Sequence, residues 1–75
     1  MKALVEYLAR ALVRNPEQVS VEEERYGERV VLRLHVADDD KGRVIGREGR
    51  VANAIRSLLH VAATRAGVRA TLDID

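Results

Sequence analysis

The stretch Lys41-Gly42-Arg43-Val44-Ile45-Gly46-Arg47-Glu48-Gly49-Arg50-Val51 decides how the rest of the chain is read. Two apolar residues lead into Gly46. Beyond the glycines, Val51, Ile55, Leu58, Leu59 and Ala62 recur at the three- and four-residue spacing of an amphipathic helix. Gly46-Arg47-Glu48-Gly49 is therefore a turn between a short helix, expected over residues 39 to 45, and a long one that Gly67 closes as a C-cap. In the run Asp38-Asp39-Asp40, one carboxylate is expected to cap the short helix and complement the positive end of its dipole.

Working outward toward the N-terminus, Val30, Leu32, Leu34 and Val36 alternate strictly with other residues, the period of a half-buried strand. Tyr26-Gly27-Glu28 supplies a turn before it. Val19 and Val21 mark a weaker partner strand, expected to fade into Glu22-Glu23-Glu24 and to form a hairpin with the first. That acidic run reads as an exposed edge that discourages pairing with other chains. Leu4, Leu8 and Leu12 repeat every four residues with Val5, Ala9 and Ala11 beside them, so residues 2 to 14 read as an amphipathic helix. It is expected to end at Asn15-Pro16, because the residue before a proline is pushed out of the helical region. Toward the C-terminus, Ala70, Leu72 and Ile74 alternate with Thr71 and Asp73 as a last strand.

The order is helix, strand, strand, short helix, long helix, strand. Hairpin strands pair antiparallel, and the helical crossover from Val36 to Ala70 is long enough to return the last strand in parallel. The fold class is α+β, a three-stranded mixed sheet packed against three helices, in a single domain spanning residues 1–75.

Composition narrows the function. The 75 residues are 47% apolar and 33% charged, which suits a soluble globular chain, and no apolar run approaches the ~20 residues of a membrane span. Glu6 and Arg10 interrupt what would have to be the core of a signal peptide, so a cytoplasmic location is expected. Without cysteine there are no disulfides or thiolate metal sites, and so small a domain must stand on apolar packing or on association. His35 and His60 have no clustered ligand partners, which argues against a metal. No cofactor is implied. Two tyrosines with no Phe or Trp disfavour a sheet that stacks bases on aromatic rings.

Charge is unevenly spread. Residues 1 to 40 hold six basic and nine acidic groups, whereas residues 41 to 75 hold seven basic and three acidic. Between Lys41 and Arg69 the only acid is Glu48. The second half is thus a candidate polyanion surface within a chain whose net charge is only +1.

A bare Gly-x-x-Gly is a weak signal; its surroundings carry the reading. Lys41, Arg43, Arg47, Arg50 and Arg56 ring the turn, and glycines let a backbone approach a phosphate closely. Amides at the start of the following helix lack intrahelical partners and form an anion site that the helix dipole reinforces. Arg65 and Arg69 read as solvated cations. Val44 and Ile45 are core, groove or both, and Arg56 either pairs with an acid or reaches a ligand. A catalytic reading finds little: Ser57 and His60 share a helix face without a third group to orient the histidine, and no phosphate-binding lysine follows the glycines. The chain is read as a binding protein, not an enzyme.

With those residues in view, Val44-Ile45-Gly46-Arg47-Glu48-Gly49-Arg50 resembles the VIGxxGR core of KH domains, and the element order is similar to the type II arrangement. From the N-terminal helix with its Asn-Pro exit to the last strand, the chain resembles the small stand-alone bacterial KH proteins of the KhpA (YlqC) type. The resemblance implies a groove formed by the two central helices, the turn between them and the adjoining strand edge, accepting about four nucleotides of single-stranded RNA along their backbone. Gly46, Arg47, Glu48 and Gly49 would hold the phosphates. Val44 and Ile45 would floor the groove, Lys41 and Arg43 would flank it, and Arg50, Asn53 and Arg56 would meet base edges. It also implies RNA chaperone or post-transcriptional activity, and pairing with a second copy or with a larger multidomain KhpB-like protein. Kept beside this is the reading of a protein-interaction scaffold with weak or no RNA binding.

Overall fold

The computed structural model describes residues 1–75. Helix α1 covers Lys2–Leu12. A short 3-10 turn at Pro16–Gln18 leads into β1 (Ser20–Tyr26), which is joined to β2 (Arg29–His35) through Gly27-Glu28. After a 3-10 turn at Asp38–Asp40 come α2 (Lys41–Ile45), a further 3-10 turn at Arg47–Gly49, α3 (Arg50–Ala66) and β3 (Arg69–Ile74). The sheet order is β1-β2-β3, with β1 and β2 antiparallel and β2 and β3 parallel, as the sequence implied.

Strict alternation along β2 sends Val30, Leu32 and Leu34 to one face, where they are buried. Register brings Val21 opposite Leu34 and Leu72 opposite Leu32, so one side of β2 and β3 is apolar and extends onto β1 at Val21, beyond which Glu23 and Arg25 occupy the outer edge. Val5 and Ala9 of α1, Val44 of α2, and Ile55 and Leu59 of α3 close over it to complete the core. The other face carries Glu22, Glu24, Tyr26, Arg29, Arg33, His35, Arg69, Thr71 and Asp73. No helix is long and apolar enough to cross a membrane.

Three local expectations are corrected. First, β1 does not fade at the glutamates; it runs through them to Tyr26. Partners on both strands accommodate their charge: Glu24 accepts from the Tyr26 hydroxyl on its own strand and from Arg33 across on β2, and Glu22 sits 2.8 Å from Nε2 of His35. The Tyr26 hydroxyl first, then Arg33, holds the Glu24 carboxyl below its usual range. Second, α1 stops at Leu12 and not at residue 14. Third, no aspartate side chain caps α2. The last two share a cause: Asp40, 1% exposed, accepts from the Arg14 and Asn15 amides, both at 3.0 Å, and from the Asn15 side chain at 2.8 Å. The Arg14 and Asn15 amides, which in a longer α1 would bond the Arg10 and Ala11 carbonyls, are instead bonded to the carboxylate expected to cap α2. The bond to the Arg14 amide is the main cause that lowers the Asp40 pKa below the ordinary aspartate value; burial opposes it, and Asn15 and Arg43 assist.

His35 has two acidic neighbours that its position in the sequence did not reveal. Its Nε2 meets Glu22 and its Nδ1 lies 3.0 Å from Asp75. Each ring nitrogen has its own carboxylate, so the imidazole bridges two acids on opposite sides instead of gathering them around one point.

Candidate nucleic-acid interface

The turn between α2 and α3 takes backbone conformations that its residues select. Gly46 has φ 76° and ψ 172°, a combination essentially confined to glycine. Glu48 is left-handed at φ 57° and ψ 24°, and Gly49 follows at φ 76° and ψ 13°. The glycines play different parts. A Cβ on Gly46 would lie 2.5 Å from Cγ2 of Val51 and 2.9 Å from its amide nitrogen, so this glycine is where the chain packs against the start of α3. Above Gly49 the nearest atom is Nδ2 of Asn53 at 3.9 Å, which leaves that backbone open to an approaching group. No side chain caps α3.

The ringing cations are not equivalent. Lys41 is 3.1 Å from Asp38, Arg43 is 3.6 Å from Asp40, and Arg50 is 3.8 Å from Glu48. Arg56 donates from Nε and Nη2 to the Leu72 carbonyl at 3.3 and 3.2 Å, so it neither pairs with an acid nor stands free. Arg47, exposed at the crest of the turn, makes no ion pair and no side-chain hydrogen bond. Glu48 is also exposed, and its contact with Arg50 offsets the carboxylate beside the turn.

The apolar pair divides. Val44 is 0% exposed and belongs to the core; it supports the turn from beneath and presents no surface, which corrects its assignment to the groove floor. Ile45 is 39% exposed and does present surface. Asn53 is exposed on α3 close to Gly49.

Arg56 shows which way this side of α3 looks. The Arg69 amide donates to the carbonyl of Glu28, just before β2, and the Asp75 amide to that of Leu34 within β2. By strand alternation, Ala70, Leu72 and Ile74 then turn their backbone polar groups away from β2, toward the open edge. Arg56 therefore reaches from α3 to the outward edge of β3, and Asn53, three residues before it on α3, lies beside Gly49. On its opposite flank, α3 meets α1 around an apolar groove of about 350 Å³ lined by Leu8, Leu12, Val51, Ala54, Ile55 and Leu58. The candidate catalytic pair does not form: the Ser57 hydroxyl donates to the Asn53 carbonyl and not to the His60 ring.

Comparison with known proteins places this geometry. In fold, 97% of the chain superposes on Era in its crystal structure with MgGDPNP and nucleotides 1506–1542 of 16S ribosomal RNA, with TM-score 0.57 and 18% identity. It spans 28% of that larger chain, and a second crystal structure, of Aquifex aeolicus Era bound to GDP and aluminium fluoride, matches equally well. In sequence, the chain is 47% identical over 74 residues to RNA-binding protein KhpA of Halalkalibacterium halodurans, covering 99% of this chain and 97% of that one. It is 42% identical over 74 residues to RNA-binding protein KhpA of Clostridium perfringens, covering 99% of both chains. These relatives are named for binding, not for catalysis, in keeping with a chain that is not an enzyme. The family described as KhpA/KhpB, KH domain matches residues 2–74, and with a type II helix and strand order wrapped around the Gly46 to Gly49 turn, this chain belongs to that family.

Proposed function

We propose that this chain is an RNA-binding protein that clamps single-stranded RNA through the Gly46-Arg47-Glu48-Gly49 turn, and that it works in the cytoplasm as an RNA chaperone or post-transcriptional regulator. One observation carries the reading: Arg47 stands unpaired on an exposed turn, while the other cations around it are engaged within the protein. A sugar-phosphate strand lying along the turn meets this cation, the open backbone at Gly49 and the uncapped start of α3, where the helix dipole favours a negative group. Lys41, Arg43 and Arg50 add a positive field with part of their charge already offset. Ile45, Asn53 and Arg56 face the bases.

Replacing Arg47 and Glu48 with two aspartates tests this. Both positions are exposed, and aspartate tolerates the left-handed conformation of Glu48, so the fold persists. Affinity for single-stranded RNA is expected to fall by roughly tenfold or more as a phosphate-facing cation becomes an anion. Undiminished affinity in the folded double variant refutes the site.

The apolar groove between α1 and α3 favours association as a second property. A module that clamps about four nucleotides binds modestly alone, and pairing with another copy or with a KhpB-like protein raises the effective concentration of binding sites. Leu58, 51% exposed beside Leu12, is the residue such a partner would cover.

A further inference from the structure

The sheet face that points away from the helices is sorted by charge along its length. Toward its His35 end the ionic groups satisfy one another: Glu24 accepts from Arg33, and His35 lies between Glu22 and Asp75. Toward the hairpin end the pairing stops. Register sets Tyr26 beside Arg29 and Arg29 beside Arg69, one residue from each strand in a single row. Neighbouring strands are about 4.8 Å apart, so the two arginines leave adjacent positions on the same face, an arrangement that is repulsive until an anion joins it. Both are exposed, and neither makes an ion pair or a side-chain hydrogen bond.

The nearby acids do not answer them. Glu24 is taken by the Tyr26 hydroxyl and Arg33, and Glu28, next to Arg29 in the chain, pairs with no cation. The following row brings Val31 and Thr71, which carry no charge. Arg25 adds a third guanidinium at the same end, its Nε donating to the Gly27 carbonyl at 3.1 Å.

We infer that Arg29 and Arg69 form a second phosphate-binding surface, which takes the sugar-phosphate backbone of an RNA segment other than the one held at the Gly46 to Gly49 turn. The inference rests on RNA being the ligand, as proposed above. Arg56 of α3 meets Leu72 of β3. From that level Gly49 lies about 10 Å away along the helix, and Arg69 about 10 Å in the opposite direction along the strand. Arg69 and Arg29 also point to the side of the sheet that the helices leave bare, so a segment lying along the turn does not occupy them. Recognition here is of charge and not of bases: the planar fork of arginine matches phosphate oxygens, whereas one tyrosine in the row does not make a base-stacking sheet. RNA is favoured over an acidic protein segment because a strand already held at the turn supplies further phosphates at high effective concentration.

Fluorescence anisotropy tests this with a mixed-sequence single-stranded RNA of about twenty nucleotides, longer than one such site. Arg29→Gln combined with Arg69→Gln removes both charges at exposed positions, and circular dichroism checks the fold. Affinity is expected to fall about fivefold, and the slope of log affinity against log salt to become shallower by about 0.7 to 1.4, for one or two phosphates. Lys2→Gln combined with Arg10→Gln removes the same formal charge from α1 and is expected to stay within about twofold of wild type. Adding the glutamine pair to the Arg47→Asp, Glu48→Asp variant is expected to multiply the two losses, as for separate sites. Wild-type affinity and slope in the glutamine pair, or an equal loss in the α1 pair, overturns the second surface. So does loss of affinity for a poly-glutamate peptide with RNA affinity retained, which would give the face to an acidic protein partner. Undiminished binding in the turn variant alongside a loss in the glutamine pair refutes the clamp and leaves this surface standing, whereas a wild type that binds no RNA refutes both.

Discussion

A methyl group on Gly46 would press into Val51, and φ 76° with ψ 172° would strain any residue that carries one. At Gly49 the space is free and only the left-handed backbone resists substitution. Gly46→Ala is therefore expected to cost about 2–4 kcal/mol, from steric overlap added to backbone strain. Gly49→Ala is expected to cost about 1 kcal/mol. Urea denaturation of the two variants checks the order, and equal losses would mean that the packing of Gly46 on Val51 is unimportant. Asp40 is the other residue whose environment is decided by a distant segment. Its folded pKa lies below its unfolded one, so its contribution to stability is fully present above the ordinary aspartate value, near pH 4, and is lost as pH falls through the depressed folded value. Asp40→Asn should lower the thermal midpoint at neutral pH and flatten the acid limb of the stability profile. An unchanged acid limb would assign that pH dependence to other carboxylates.

Among the elements, α3 does the most, because three of its sides have different neighbours. Ala52, Ile55, Leu59 and Ala63 are buried in the core, Arg56, His60 and Thr64 lie beside β3, and Val51, Ala54 and Leu58 line the groove beside α1. A helix with two apolar sides and one polar side can hold a fold, a partner and a ligand at once. Leu58→Glu places a charge in the groove without touching the side of α3 beside β3. It is expected to weaken self-association at least tenfold, about 1.4 kcal/mol, in sedimentation equilibrium, while the folded spectrum is retained. A wild-type chain that stays monomeric at every concentration would end the association reading.

For the molecule as a whole, a net charge of +1 says little, because the charges are segregated along the chain and then partly paired in space. Most carboxylates near the turn already serve a cation, so the positive field available to RNA is smaller than a count of arginines suggests. Log affinity for single-stranded RNA is accordingly expected to fall with log salt at about −0.7 per phosphate neutralised, or about −1.4 to −2.8 for two to four contacts. Titration at several salt concentrations measures the slope directly. A slope near zero would leave no phosphate contact for Arg47 to make.

The order of elements, the parallel return of the last strand and the position of the turn were all determined by the sequence alone. The elements and the turn follow from local rules acting within a few residues, the two-residue period of β2, the helical period of α3 and the backbone freedom of paired glycines, and the parallel return follows from the length of the helical crossover. Only the tertiary structure decided where α1 stops, because the amides of Arg14 and Asn15 find a carboxylate about 25 residues away. It also decided that Val44 faces the core, that Arg56 rests on the Leu72 carbonyl, and that Arg47 is left as the unpaired cation of the ring. Spacing along the chain carries no record of such partners, since hydrogen bonds and ion pairs form between groups that meet only after the sheet and helices have packed.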